Sequence, residues 1–591
     1  MQRIIVIGLL LFAATASAAE KKCELQRFAE LPVTMSGTRP LIAGTINGHP
    51  AKFLADSGAF FSMLTRDAVA KFGLRVGAMP ANIRVRGTGG AADVGLTKVS
   101  AFTLNGFLGG RVQDNVEFIV GGNLFDDGVA GIIGQNVLGN ADTEYDLANG
   151  IIRVFKTENC KDAMLAYWAR NMAVATLELE DRTPLRPHLR ARAKLNGKSI
   201  RILLDTGAWR SLLTLDAAAR AGIEPEDDGV EAAGISRGLG KRTTENSLAR
   251  FDTLDVGGEV IRNARLRIGD AELVRSDMLL GADFFLSHRI YVASRQDKIY
   301  FTYNGGPVFD LRATPKEAQT PAPTTTLAAD GPADDGLDAH ALRRRGTASA
   351  GRGDFDAAIA DFDRAIALDA TEPDNFYERA LAKLQKRQPL AAIVDLDTAL
   401  KLRPDHVQAL IARGTVRLRG GNQAGASSDF QEALRVAPRD AGTAFRIAEA
   451  YQSAGQFAAA IERMDAWVTQ FPKDDRLPTV LTARCWSRAM TGKDLNLARA
   501  DCDSALKKGA KNSIAYDSRG LVWLLLGNYP EAIDDYKEAL ELQPKKASSL
   551  YGLGLAEIKA GAKDSGEKNI QAALAIDSGI AASFRRAGLA P

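Results

Sequence analysis

A chain of 591 residues is too long for one hydrophobic core and calls for about three to five domains of ~100–200 residues each. With 46% hydrophobic and 25% charged residues it has an ordinary globular composition, which excludes a wholly disordered, collagenous or polytopic membrane chain. Lysine and arginine number 75 against 72 acids, a formal charge of +3, so no basic excess exists to neutralise a phosphate backbone and no nucleic-acid partner is expected. Five histidines and 4 cysteines leave little material for a multi-ligand metal centre, and neither a metal nor a cofactor is expected.

Residues 1–18 read as a signal peptide: Arg3 supplies the positive region, Ile4–Phe12 a short apolar run, and Ala16-Ser17-Ala18 a small-residue cleavage site. The alternative is a membrane anchor, but the run is too short for a spanning helix, and no later stretch reaches ~18 uninterrupted apolar residues. The expectation is an exported protein, in a bacterial periplasm or secreted, with no transmembrane anchor after signal removal.

Residues 24–311 alternate short apolar runs with Asn-Gly and Gly-Gly breaks, as in HLRARAKLNGKSIRILLDTGA, and are expected to be mainly β. One pattern occurs twice there. FLADSGAFFSMLT (Phe53–Thr65) and ILLDTGAWRSLLT (Ile202–Thr214) both fit D-[ST]-G-A-x-x-S-x-L-T. An apolar-apolar-Gly turn follows each, at Gly134 in GIIGQNVLG, 78 residues after Asp56, and at Gly281 in MLLGADFFL, 76 residues after Asp205. Between motif and turn, each copy carries a Gly-rich hairpin, 86–90 and 233–238. Order and spacing kept in two tandem units point to an internal duplication.

On these residues both units, over about 30–157 and 174–305, resemble retropepsin-type aspartic protease lobes. The resemblance implies that Asp56 and Asp205 are catalytic and that Ser57, Gly58, Thr206, Gly207, Gly134 and Gly281 support their loops. It also implies flaps at Gly87, Thr88 and Gly89 and at Gly234, Ile235 and Ser236. Ala55 departs from the bulky aliphatic residue usual before the aspartate, and pepsin's flap tyrosine has no counterpart. The chemistry explains the need for two copies. Hydrolysing an amide without a metal requires one group to take a proton from water and another to protonate the carbonyl oxygen. Two adjacent carboxylates that cannot both ionise share one proton and serve as that base and acid.

The domains are thus lobe 1 at 24–160, an interlobe segment at 161–173, and lobe 2 at 174–311. The interlobe segment carries Met164, Leu165, Tyr167 and Trp168 and is read as an amphipathic helix that packs the lobes together into one intramolecular site. A Pro/Thr/Ala-rich linker, 312–336, leads to helix-rich sequence at 337–591. There Ala365, Ala399, Ala433, Trp467, Ala505, Ala539 and Ala573 recur with spacings of 34 residues and one of 38, and Pro404, Pro438, Pro472 and Pro544 follow. This array resembles about seven tetratricopeptide repeats, which implies a superhelix that binds a peptide or protein partner. The Arg343-Arg344-Arg345 run within it reads as a solvated helix face.

Four cysteines in an exported chain suggest two disulfides. Cys23 and Cys160 flank lobe 1, and Cys485 and Cys502 lie symmetrically about the Gly492-Lys493 turn between two helices, so the expected bridges are Cys23–Cys160 and Cys485–Cys502. The fold class is multidomain: two mainly-β lobes, then an all-α repeat superhelix. The functional expectation is an aspartic endopeptidase acting on a peptide or protein substrate, with the repeats recruiting substrate or partners. The competing class is a non-catalytic peptide-binding scaffold of the cell envelope.

Overall fold

The computed structural model describes residues 22–80, 84–122, 128–139, 141–170, 172–180, 187–240, 242–309 and 336–590. The expected signal peptide, 1–18, and nearly all of the expected linker, 312–336, lie outside the described residues.

Lobe 1 opens with the strand Glu24–Ser36, whose later half turns Leu31, Val33 and Met35 inward with the period of two that a half-buried strand requires. The strand Arg39–Ile46 turns through Asn47-Gly48, both at positive φ, into His49–Ala55, as a tight two-residue hairpin demands. Lobe 2 repeats this with Arg190–Leu195, the Asn196-Gly197 turn and Lys198–Leu204. Each hairpin runs directly into its aspartate motif. A fully buried strand then pairs in parallel with the second hairpin strand: Val129–Ile133 with His49–Ala55, and Met278–Leu280 with Lys198–Leu204. Parallel neighbours end on the same side, so Asp56 emerges beside Gly134 and Asp205 beside Gly281. Beneath lobe 1's motif, Phe53, Phe102 and Phe118 meet edge-on with centroids 5.5 and 5.1 Å apart. Each fully buried ring contributes about 2–3 kcal/mol.

The lobes are joined by a sheet they share. Glu24–Ser36, Ile151–Glu158 and Asp142–Asp146 of lobe 1 continue through the pairs Thr143–Val292 and Tyr145–Ile290 into His288–Ala293, Lys298–Tyr303 and Ala175–Glu178. Glu144, fully buried at that seam, accepts from Arg153 Nη1 (2.5 Å), Arg289 Nε (3.0 Å) and the Tyr167 hydroxyl (2.5 Å). A buried carboxylate survives only with such partners. The interlobe segment 161–173, expected as a helix, forms isolated turns in its described residues. Tertiary contacts take the groups a helix would use: Gln296 Nε2 donates to the carbonyls of Cys160 and Ala163, and Trp168 Nε1 donates to Thr302 Oγ1 at 2.9 Å. Cys23 is disulfide-bonded to Cys160, closing the ends of lobe 1.

From Ala339 the described chain is helical, as seven antiparallel pairs from Ala339–Gly351 and Phe355–Leu368 to Ala547–Lys559 and Lys563–Ile576, then the short helix Ile580–Arg586. Small residues let paired helices close: the rings of Phe362 and Phe430 lie where a Cβ on Gly346 and Gly414 would come within 2.6 Å. Cys485 is bonded to Cys502 across the fifth pair. Arg345 is not on a solvated face. Its guanidinium forks onto Asp361 of its partner helix at 2.8 and 2.5 Å. The same fork recurs as Arg379–Asp395, Arg413–Asp429, Arg484–Asp501 and Arg519–Asp535. Each of the last four arginines also reaches back one repeat: Arg379 to Asp363, Arg413 to Asp397, Arg484 to Asp465 and Arg519 to Asp503.

Candidate active site

Asp56 and Asp205 end corresponding strands of the two lobes and face each other, the Asp205 carboxyl lying against Gly58 and the Asp56 carboxyl against Gly207. The strand ends are fixed by Asp56 N donating to Ile133 O (3.0 Å) and Asp205 N donating to Leu280 O (2.9 Å). Each carboxylate folds back on its own turn. Asp56 Oδ1 accepts from the amides of Gly58 (2.9 Å) and Ala59 (2.8 Å), and Asp205 Oδ1 from those of Gly207 (2.9 Å) and Ala208 (3.1 Å).

The residues after the aspartates are exchanged between lobes. Ser57 N donates to Thr206 Oγ1 and Thr206 N to Ser57 Oγ, both at 2.9 Å. The hydroxyls then donate onward across the axis, Ser57 Oγ to Leu204 O (2.9 Å) and Thr206 Oγ1 to Ala55 O (2.7 Å). All four bonds are buried and none is local, so they fix the separation of the aspartates. Glycine is required next: a Cβ on Gly58 would fall on the Asp205 carboxyl, and one on Gly207 on that of Asp56.

Beneath each loop lies a support that the motif contained but whose role the sequence reading did not assign. Ser62 Oγ accepts from Gly134 N (3.1 Å) and donates to Asn136 Oδ1 (2.8 Å). In lobe 2, Ser211 Oγ accepts from Gly281 N (2.9 Å) and donates to Asp283 Oδ1 (2.7 Å). The serine of D-[ST]-G-A-x-x-S, present in both copies, was the available signal. The closing threonines of the motif, Thr65 and Thr214, cap the short helices Arg66–Lys71 and Leu215–Arg220 by accepting from Ala68 N and Ala217 N.

Electrostatics oppose double ionisation. Burial first, then the charge of Asp205, push the Asp56 carboxyl well above the usual carboxylate range. Burial also raises Asp205, against hydrogen bonds from Asp56 and the loop amides that favour its charged form. The pair therefore holds one proton to a higher pH than an isolated aspartate would.

The flaps meet. Arg86–Gly87 and Gly90–Ala91 form a small hairpin holding Gly87, Thr88 and Gly89 at its tip. Glu231–Arg237 pairs with Thr243–Val256 to make the second. Gly234, Ile235 and Ser236 lie on a strand of that hairpin rather than at its turn. Pairing continues to Arg237 with Thr243, so the tip falls at Gly238, Leu239 and Gly240, beyond the residues expected to form it. The tips are bonded to each other through Gly89 N to Leu239 O (3.0 Å) and Arg242 N to Gly89 O (3.1 Å). Beside the aspartate loops stand half-exposed aromatic rings, Phe61 in lobe 1 and Trp209 in lobe 2, the latter between the guanidinium groups of Arg210 (5.1 Å) and Arg267 (5.0 Å).

The family model described as aspartyl protease matches residues 42–137 and again 191–284, and tetratricopeptide repeat models match 324–373, 377–427, 411–475 and 520–561. The N-terminal half is thus a tandem pair of retropepsin-like aspartyl protease lobes, and the C-terminal part is a tetratricopeptide array. Among curated proteins, mouse sperm-associated antigen 1 is 26% identical over 286 residues, covering 46% of this chain and 30% of that protein. The bovine SGT1 homolog is 33% identical over 91 residues, covering 15% of this chain and 25% of its own. The chain therefore spans less than a third of either relative. Similar solved structures include a tetratricopeptide repeat protein from Parabacteroides merdae, with TM-score 0.30, 20% identity, 40% of this chain and 87% of that one. The Cut9–Hcn1 structure matches with TM-score 0.33 and 14% identity, over 42% of this chain and 48% of that one.

Proposed function

We propose that this protein is an exported aspartic endopeptidase whose single active site is formed by Asp56 and Asp205. The observation that carries the reading is the pair of carboxyls from two lobes, each lying against the other lobe's glycine and fixed by the crossed Ser57 and Thr206 bonds. The pair shares one proton, so one carboxyl starts the reaction as acid and the other as base, and the titration belongs to the pair. A water between them loses a proton to the ionised carboxyl as it attacks the peptide carbonyl. The protonated carboxyl gives its proton to the carbonyl oxygen, producing a neutral tetrahedral diol. As the C–N bond breaks, the proton gained by the base passes to the departing amine, and a diol hydroxyl returns a proton to the other carboxyl, which restores the pair. An extended substrate would lie under the flap tips as an added strand, held through its main chain. The repeats would bring a protein substrate or a partner to the cleft.

The test is cleavage of unfolded proteins by the wild type, Asp56→Asn and Asp205→Asn across about pH 3 to 8, with the folding of each protein verified. Cleavage by wild type alone is expected. Full activity in either single variant would refute a shared dyad, and silence of the wild type throughout would favour a non-catalytic peptide-binding scaffold.

A further inference from the structure

The repeat array meets the lobes at its first helix and again from the turn 471–476 onward. Its first helix, Ala339–Gly351, is anchored on the body of the lobes: Thr347 Oγ1 accepts from Met35 N (3.1 Å), and Arg352 Nη1 just after it donates to Leu286 O (3.3 Å). The second place is the mouth of the cleft. The turn 471–476, between the fourth and fifth repeats, presents Arg476, which is only 5% exposed. Its Nη2 donates to Asp67 of lobe 1 (2.8 Å) and to Asp474 within the turn (2.7 Å). The next-door residue Asp475 receives Arg237 Nη2 of the lobe 2 flap on its carbonyl (3.0 Å), and its carboxylate lies 3.9 Å from Arg66 Nε of lobe 1. One turn of the array therefore bridges lobe 1 and the flap of lobe 2. Two further contacts fall on lobe 2: Ser513 N donates to Glu245 on the flap strand (2.7 Å), and Lys545 Nζ donates to Asp227 O.

Between these two anchorages the array changes character. Arg379, Arg413, Arg484 and Arg519 tie successive repeats by reaching back to an aspartate. At the joint between the third and fourth repeats the equivalent positions are Gln431 and a fully buried Ile447, so that rung cannot form. The joint instead carries an edge-on contact of Phe430 with Tyr451 and a long Arg419–Ser453 hydrogen bond of 3.4 Å. Apolar contact tolerates sliding that a bidentate ion pair does not.

We propose that repeats four to seven form a hinged strap that bends at the joint between the third and fourth repeats and holds the lobe 2 flap down across the cleft through the turn 471–476. Repeats one to three are its fixed base. The strap sets when the cleft opens, a role distinct from recruiting substrate. Its purpose as a gate rests on the protease reading, whereas its mechanics do not.

The test is hydrogen exchange of the full-length protein, resolved at the flap peptides 231–246 and 86–91 and at the joint 437–441. Arg476→Asp is expected to speed exchange at 231–246 about tenfold, because a closed flap exchanges only through opening. Asp67→Arg in the same chain restores the pairing with sign reversed and is expected to return exchange toward wild type. Arg237→Ala, an exposed flap residue, frees the same flap without touching the repeats and guards against misfolding of the first variant. Arg435→Ala, far from the lobes, leaves exchange unchanged. Unaltered flap exchange in both Arg476→Asp and Arg237→Ala, or failure of the charge swap to restore it, overturns the strap. A freed flap with no change at 437–441 overturns the hinge. Cleavage is assayed on the same samples: freed flaps without cleavage sustain the strap and refute the protease reading, while cleavage with unchanged exchange refutes the strap alone.

Discussion

The two lobes share one scaffold, and three of the differences between them separate what the site requires from what it tolerates. The aspartate, the glycine two residues on and the serine four beyond that glycine are the same, at Asp56, Gly58 and Ser62 and at Asp205, Gly207 and Ser211. The hydroxyl after the aspartate is serine in one lobe and threonine in the other, yet each makes the same pair of bonds. The acceptor beneath the supporting serine is the Asn136 amide in lobe 1 and the buried Asp283 carboxyl in lobe 2. Only an acceptor is needed there. The third difference is the surface beside the loops, Phe60-Phe61 against Trp209-Arg210, which gives the two ends of the cleft unlike chemistry.

The comparison breaks most visibly at the shared residues. Asparagine at Asp56 or Asp205 is expected to lower peptide cleavage by about 10³-fold or more in either lobe, because acid and base act together. An initial-rate assay on a quenched peptide reads this directly, and a tenfold difference between the two variants would mean that the lobes are not equivalent. The wild-type rate is expected to fall as pH rises through the raised value of the pair, since the shared proton is then lost; it falls again in strong acid when both carboxyls are protonated. Next comes Gly58→Ala or Gly207→Ala, whose methyl group meets the opposite carboxyl. Each is expected to cost about 10²-fold in kcat with little change in KM, the signature of a displaced reacting group.

Smaller effects test the exchange of hydroxyls. Ser57→Ala and Thr206→Val each strand a buried amide of the other lobe, and each is expected to cost about 1–3 kcal/mol in urea unfolding. A large inequality would show that one lobe holds the other rather than both sharing the load. The smallest effect is Asp283→Asn, which gives lobe 2 the chemistry of lobe 1. Burial raises the Asp283 carboxyl in the folded state, so its ionisation opposes folding as pH rises from the ordinary carboxylate value through the raised one. Asparagine removes that loss, and the variant is expected to melt about 1–3 °C higher at neutral pH, with no gain in acid.

The two-lobe β architecture and the helical array were legible because both are repeated: a duplicated ten-residue motif and a period of 34 residues survive any uncertainty about single elements. The aspartates were legible for the same reason, since strand, turn and motif sit within thirteen residues of chain in each copy. What was not legible depends on contacts far apart in sequence. The tip of the second flap lies at Leu239 because Ile235, Ser236 and Arg237 pair with Glu245, Thr244 and Thr243, partners that the Gly-rich stretch alone does not name. The segment 161–173 has an amphipathic pattern, but Gln296 and Thr302, more than a hundred residues later, capture its polar groups. The Arg–Asp forks had a visible offset, 16 residues from Arg345 to Asp361 and from Arg379 to Asp395, yet a charge on a helix reads as solvated until its partner helix is placed.

The seam from Thr143–Val292 to Tyr145–Ile290 joins the two lobes within one chain through a shared hydrogen-bonded sheet, although the strand that carries Asp205 lies in a separate seven-stranded sheet. A site assembled from identical subunits dissolves on dilution and must accept every substitution twice, once on each side of its axis. Here neither holds: the facing aspartates stay opposed at any protein concentration, and a change near Trp209 leaves Phe61 as it was. The two banks of the cleft can therefore differ, and on the protease reading proposed above a peptide laid across them would have a distinguishable head and tail.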